Sequence, residues 1–181
     1  MRPMARFFHR FSILSAGIAC ALLLLACSPK FDWREVHDSG IPFSILLPAK
    51  PTTSARQIDL DGLPVTMTMT AAEAGDVLFA VGSAEMPDPA AAERALVAMK
   101  TALTRNIGGS IRRELASSPG AVPATLDIEA VGAPRNGEQP RLLVARFVAV
   151  GKRVYQLVVV GQEKSVPREA VDTFLTSFKP A

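Results

Sequence analysis

Hydrophobic and polar side chains alternate along much of this chain, and the alternation predicts β-strands with one buried face. The clearest stretch is 65–70, in which a valine and two methionines alternate with threonines. The preceding Asp61-Gly62 is a typical hairpin-turn dipeptide, so this strand is expected to pair with the stretch before it. The same reasoning predicts strands over residues 31–36, 41–47, 53–60, 65–70, 77–84, 110–116, 124–131, 141–150 and 153–161.

Two other stretches repeat apolar residues every three to four positions, which predicts amphipathic helices. The first follows Asp88, a suitable N-cap, and Pro89, a suitable first helical residue, and it is expected to end at Gly108-Gly109. The second is expected to be capped by Ser165. Its apolar stripe consists of Val166, Ala170, Val171, Phe174, Leu175 and Phe178.

The order of these elements predicts the fold class. Several strands precede the first helix, several more follow it, and the second helix comes last. Helices do not alternate with single strands, so the pattern argues against a doubly wound sheet and predicts an α+β domain. We expect an antiparallel sheet made of two β-rich blocks and flanked by two main helices. Residues 134–140 are expected to form an exposed loop.

The beginning of the chain follows a different pattern. Arg2, Arg6 and Arg10 form a basic leader without acidic residues, and an uncharged run from 11 to 29 contains Leu24-Leu25-Ala26-Cys27. These four residues resemble the lipobox of bacterial lipoproteins, in which cleavage falls before the cysteine and the cysteine is acylated, for example with palmitate. The resemblance implies a signal peptide over residues 1–26, a lipidated tether over 27–30 and a single domain over 31–181.

Two alternatives to lipidation remain open, an ordinary cleaved secretory signal and a retained membrane anchor. The uncharged run is 19 residues long, near the lower end of the roughly 17–25 needed to span a bilayer. With lipidation, Ser28 favours the periplasmic face of the outer membrane if the cell is Gram-negative. An aspartate after the cysteine would instead resemble an inner-membrane retention signal.

A second resemblance covers roughly residues 31–179. It is carried by an early strand that ends in prolines (PFSILLPAKP), a Gly-Lys-Arg-Val-Tyr hairpin into an apolar strand, and a terminal helix with Phe174 and Ser177-Phe178. These features resemble the PsbP-like and Mog-type fold, found in an extrinsic photosystem II subunit, a Ran-binding protein and many bacterial lipoproteins. The resemblance implies a central antiparallel sheet flanked by helices, and it implies no particular chemistry.

Charge and cysteine content narrow the function classes. Three of the 20 Lys and Arg lie in the leader, so the rest of the chain carries 17 basic and 17 acidic residues. Its formal net charge of zero gives no support for a nucleic-acid partner. The two cysteines are Cys20 in the leader and Cys27, so the predicted domain contains no disulfide, no thiol nucleophile and no cysteine metal ligand.

No motif in the sequence predicts catalysis, a cofactor or a metal site. His37 is the one histidine outside the leader and is expected in a surface turn, and Gly108-Gly109 follows a helix, whereas phosphate-binding glycines precede one. Arg112 and Arg113 are adjacent in a predicted strand, so we expect them on opposite faces and not in one basic patch.

Two features are candidates for binding. Trp33, the only tryptophan, is expected either to cap the core or to contact the membrane or a partner. Met67 and Met69 face the same way on their strand and are expected to pack in the core or to line an adaptable groove. The sequence therefore predicts an anchored, non-enzymatic module that binds another protein. A carrier of a small apolar ligand in a cavity between sheet and helix is the alternative, as is a secreted or anchored domain of unknown function.

Overall fold

The computed structural model describes residues 31–133 and 139–181. Part of the predicted 134–140 loop, the predicted signal peptide (1–26) and the predicted tether (27–30) therefore lie outside the described residues. The described part contains α1 (Pro89–Asn106), a short 3₁₀ helix (Glu163–Ser165) and α2 (Arg168–Ser177). Its strands are β1 (Arg34–Asp38), β2 (Phe43–Leu47), β3 (Thr52–Leu60), β4 (Leu63–Ala74), β5 (Val77–Glu85), β6 (Gly109–Ala116), β7 (Ala124–Gly132), β8 (Arg141–Val150), β9 (Arg153–Gln162) and β10 (Lys179–Pro180).

Seven of these strands form one antiparallel sheet in the order β3-β4-β5-β9-β8-β7-β6. The two β-rich blocks meet in its middle, where β5 pairs with β9 and Gly82 lies opposite Gln156. The hairpin predicted at Asp61-Gly62 joins β3 to β4, and both turn residues have positive φ. The structure thus confirms the predicted α+β class, with antiparallel strands and two helices.

The seven-stranded sheet is buried on both faces, and α1 and α2 cover opposite ones. In β8, Leu143, Ala145 and Phe147 belong to the core that α1 covers, whereas Leu142 and Val148 belong to the core that α2 covers. Successive strand residues point to opposite faces, so this division follows from the pleat. We call these the α1 face and the α2 face.

A small sheet, in the order β1-β2-β10, shares the α2 face with helix α2. The Tyr155 hydroxyl of β9 donates to the carbonyl oxygen of Pro42, just before β2, over 2.9 Å. Ser177 at the end of α2 accepts from the backbone N–H of Leu46 in β2 over 3.0 Å. These bonds connect the small sheet to both the large sheet and α2. The two-residue strand β10 was not predicted, because it is too short to show a period.

The ends of α1 agree with the prediction, and the start of α2 does not. Asp88 accepts the backbone N–H of Ala91 over 2.8 Å, and Gly108 follows the helix at φ 59°. Ser165, the predicted cap of the second helix, is instead the last residue of the 3₁₀ helix, and α2 begins at Arg168 after Pro167. Val166 and Phe178 of the predicted stripe consequently flank α2 but still pack in or against the core.

The first strand also differs from its prediction. It covers Arg34–Asp38 instead of residues 31–36, because its pairing with β2 places Arg34 opposite Leu47 and Asp38 opposite Phe43. His37 therefore lies in a strand, opposite Ser44, and not in a turn. The turn follows it, where Asp38 accepts the backbone N–H of Gly40 over 2.7 Å.

Candidate functional site

A groove of about 300 Å³ opens on the α1 face, between strands β3 and β4 and the C-terminal half of α1. We call it the methionine groove. Its walls are formed by Arg56, Ile58, Asp59, Leu60, Met67, Met69, Met99, Ala102, Leu103, Asn106 and Gln156. Its volume is at the lower end of the range for small-molecule sites, which are mostly apolar with a few polar groups.

Three methionines give the groove its character. Met67 and Met69 alternate with threonines in β4 and face the same way, as the sequence predicts. Their side of the sheet is the α1 face, where Met99 of α1 faces them. Met67 and Met99 are buried, and Met69 is partly buried. The unbranched, polarizable methionine side chain adapts its shape to what it contacts. The two roles considered for Met67 and Met69 are therefore compatible, because the same side chains belong to the core and line the groove.

One buried polar side chain lies in this apolar wall. Gln156 of β9 is 8% exposed, and its Nε2 donates to the sulfur of Met69 over 3.3 Å. Met69, Gly82 and Gln156 lie side by side on three neighbouring strands. A Cβ at Gly82 would lie 2.5 Å from the Met69 sulfur and 2.8 Å from Gln156 Cγ. The missing side chain of Gly82 thus leaves the space in which these two side chains meet.

The outer rim of the groove carries charges of both signs. Arg56 is an exposed residue of β3 opposite Met67, and Asp59 follows three residues later in the same strand. Asp59 also accepts the backbone N–H of Gly62 over 2.8 Å, so part of its hydrogen-bonding capacity is used by the hairpin turn. One cation and one anion at the rim leave no net charge to select an ionic ligand.

A second depression of about 340 Å³ lies on the α2 face, between strands β6 to β8 and helix α2. Arg146 makes two hydrogen bonds of 2.8 Å with the Asp127 carboxylate, and a third, of 3.3 Å, to the Leu175 carbonyl. Arg168 makes two bonds with Glu129, of 2.6 and 3.0 Å. Both ends of α2 are thereby bound to the sheet. Because these four charged side chains pair with one another, they form a structural contact between α2 and the sheet.

The prediction that Arg112 and Arg113 lie on opposite faces is wrong. The register of β6 skips a residue, since Ile111 lies opposite Ala130 but Arg113 lies opposite Glu129. This β-bulge interrupts the alternation of side chains, as bulges do. Arg113 lines the depression beside α2, and Arg112 pairs with Glu163 in the 3₁₀ helix that precedes α2.

The pKa of the Glu129 carboxyl is lowered, first by its hydrogen bonds from Arg168 and also by the charges of Arg168, Arg112 and Arg113, while burial opposes the shift. A carboxyl with a lowered folded-state pKa stabilises the fold fully above its ordinary value of 4.5, and this contribution is lost as the pH falls through the lowered pKa. Glu129→Gln should therefore lower the melting temperature at pH 7, by an amount that shrinks toward pH 3. Melting temperatures across this range, with exposed Glu73→Gln as the control, test this. A difference that stays constant or widens on acidification contradicts it.

Trp33 lies half-buried at the edge of the α2-face core. Its ring stacks on Phe31 with centroids 5.6 Å apart and meets Phe79 edge to face at 6.3 Å. These contacts account for the apolar part of the indole. A contact of Trp33 with the membrane or a partner stays a prediction.

The other predicted site residues do not meet at either depression. Cys27 lies outside the described residues. His37 is exposed, with Nε2 3.6 Å from a carboxylate oxygen of Glu35. Within residues 31–133 and 139–181, no group of three or more His, Cys, Asp and Glu side chains could hold a metal ion. No helix in the same ranges is long and apolar enough to cross a membrane.

Sequence reasoning missed Gln156 and Gly82, the residues that place a polar group in the groove. The sequence did carry a signal for Gln156, because it is the only strongly polar residue in the apolar run from Val154 to Val160. Which residues lie beside it could not be predicted without the strand order. No family model matches the chain, and no curated protein matches it.

Proposed function

We propose that the protein is a lipid-anchored binding protein of the bacterial cell envelope that holds a small, mostly apolar ligand in the methionine groove without catalysis. The lipobox-like sequence ending at Cys27 supports the anchor, and Ser28 after it supports the periplasmic face of the outer membrane if the cell is Gram-negative. The groove between sheet and helix is the observation that carries the binding role.

A small ligand is favoured over a docked protein, the other role that the sequence suggests. A protein-binding module should present a contiguous exposed apolar patch. The exposed large apolar side chains among the described residues are Val97, Ile111, Leu115 and Val122. Val97 belongs to α1, whereas Leu115 lines the depression beside α2 on the opposite face. Val97 and Leu115, the two placed in this way, therefore do not belong to one patch, and the groove is the more specific feature.

We also propose that the domain has the PsbP-like and Mog-type fold. The early strand that ends in prolines, the hairpin into an apolar strand and the terminal helix with Phe174 support this assignment. A central antiparallel sheet flanked by helices is what that fold would require. The proposal adds nothing to the ligand argument, since a fold of this kind implies no chemistry.

Filling the groove should abolish ligand binding. Ala102→Trp places a large ring in the groove wall on α1, whereas Val97→Trp places the same ring on the exposed part of the same helix. We expect heptyl methyl ether, as an apolar probe, to shift the ¹³C-methyl NMR signals of Met67, Met69 and Met99 in the whole chain held in phospholipid nanodiscs. Met86 is buried outside the groove and its signal should not move.

The two variants decide the location of the site. Ala102→Trp should lose the shifts, and Val97→Trp should keep them. Equal shifts in both variants, or no shift in the unmodified chain, would contradict the groove as the binding site.

A further inference from the structure

The polar side chain in the groove has an unused acceptor. A glutamine amide has two N–H donors and one carbonyl acceptor. Nε2 of Gln156 donates to a methionine sulfur, which is a weak acceptor, and no residue within 31–133 and 139–181 donates to Oε1. Without a ligand this oxygen faces the groove and its water, because it is not among the enclosed atoms of the described residues. A ligand that covers it without offering a donor would leave a buried acceptor unpaired, which is unfavourable.

Gln156 Oε1 is also accessible from the groove. In the described part of the chain, the only fully enclosed side-chain polar atom without a partner is Ser83 Oγ. Gln156 Oε1 is therefore not fully enclosed. Gln156 is nine-tenths buried but lines the groove wall. Because Gly82 has no side chain, the side-chain amide of Gln156 can lie over β5. A molecule in the groove can therefore reach the amide.

The charges and dimensions of the groove restrict such a molecule further. Arg56 and Asp59 at the rim carry opposite charges, so the groove lining has no net charge and does not select an ionic ligand. Gln156 and Arg56 are separated by three strand-to-strand spacings, from β9 to β3, or about 14 Å between strand axes. Between them the methionines offer an apolar surface for a flexible chain.

We propose that the ligand is an uncharged, medium-chain aliphatic alcohol whose hydroxyl donates to Gln156 Oε1 and accepts from Nε2. This inference rests on the proposed function, since it assigns the chemistry of the same groove. The alkyl chain lies along Met67 and Met69, beneath Met99, and extends toward the rim. The hydroxyl supplies the hydrogen that Oε1 lacks, and an apolar chain without a donor leaves this acceptor unpaired.

Two isomers of the same size test the inference. Octan-1-ol has a hydroxyl donor and heptyl methyl ether has none, while both have eight carbons and one oxygen. Their affinities for the whole chain in phospholipid nanodiscs are measured from the ¹³C-methyl signals of the groove methionines, at equal free aqueous concentration. We expect octan-1-ol to bind about tenfold more tightly, the order of effect of one unpaired buried acceptor.

Substitutions of two glutamines test whether the preference for the alcohol comes from Gln156. Gln156→Leu should reduce the affinity ratio to about one, through weaker binding of the alcohol and not of the ether. Gln57→Leu, at an exposed glutamine of β3 outside the groove, should keep the tenfold ratio.

The possible failures are distinguishable. Equal affinity of the unmodified chain for the two isomers overturns the inference while the groove remains a ligand site, and this comparison needs no variant to fold. An unchanged tenfold ratio in Gln156→Leu also overturns it. If neither isomer moves a groove methionine, the proposed function fails together with the inference.

Discussion

Replacing Cys27 with alanine is expected to leave the protein as an unprocessed precursor without acyl chains. In a lipobox the cysteine carries the lipid and cleavage falls just before it, so the substitution should block both events. Two or more acyl chains make membrane attachment durable, whereas one chain binds only marginally. The expected effect is all or none: labelled palmitate should be incorporated into the unmodified protein and not into Cys27→Ala.

The other cysteine provides the matched control. Cys20 lies within the leader, so Cys20→Ala should still be processed and labelled. Palmitate label that persists in Cys27→Ala would refute the lipidation proposal. Separation of membranes by density then tests the location, and recovery mainly in the inner membrane would contradict the assignment to the outer membrane.

Phe174→Ala is expected to cause the largest loss of stability among single substitutions in α2. Phe174 is fully buried on the α2 face, where its ring meets Phe79 edge to face at 5.6 Å. Phe79 in turn meets the ring of Trp33 edge to face, so the cavity would border this aromatic cluster. Truncation of a buried phenylalanine removes its transfer free energy and leaves a cavity, which together cost about 3–5 kcal/mol.

Urea unfolding at equilibrium measures this loss. Thr176→Ala, at an exposed position of the same helix, should change the free energy of unfolding by less than about 1 kcal/mol. A loss below about 1 kcal/mol for Phe174→Ala would show that α2 does not hold the core of this face as its packing indicates.

The accuracy of the sequence predictions depended on whether a feature is local. The end signals of α1 lie within a few residues of the helix, and both Asp88 and Gly108 act as predicted. The predicted start of α2 at Ser165 is wrong because Ser165 ends a 3₁₀ turn, and Val166 and Pro167 come between it and the helix. Arg112 and Arg113 were misplaced because a bulge depends on the pairing of β6 with β7, which the sequence of β6 alone does not show.

The candidate site shows the same limit. That Met67 and Met69 share a face follows from the two-residue period of a strand, and this was predicted correctly. That Met99 faces them depends on the position of α1. That Gly82 lies between Met69 and Gln156 in the sheet depends on the order of the strands. No local pattern carries that information.

By itself, the sequence determined the element types, the α+β class and the lipobox-like segment ending at Cys27. These depend on periodicity, capping and short motifs, whose physical causes act over a few residues. Only the tertiary structure decided that β5 lies beside β9, that α1 and α2 cover opposite faces, and that one amide lies in the wall of an apolar groove. These depend on contacts between residues far apart in the chain, where a period reports which face a side chain occupies but not which side chains it meets there.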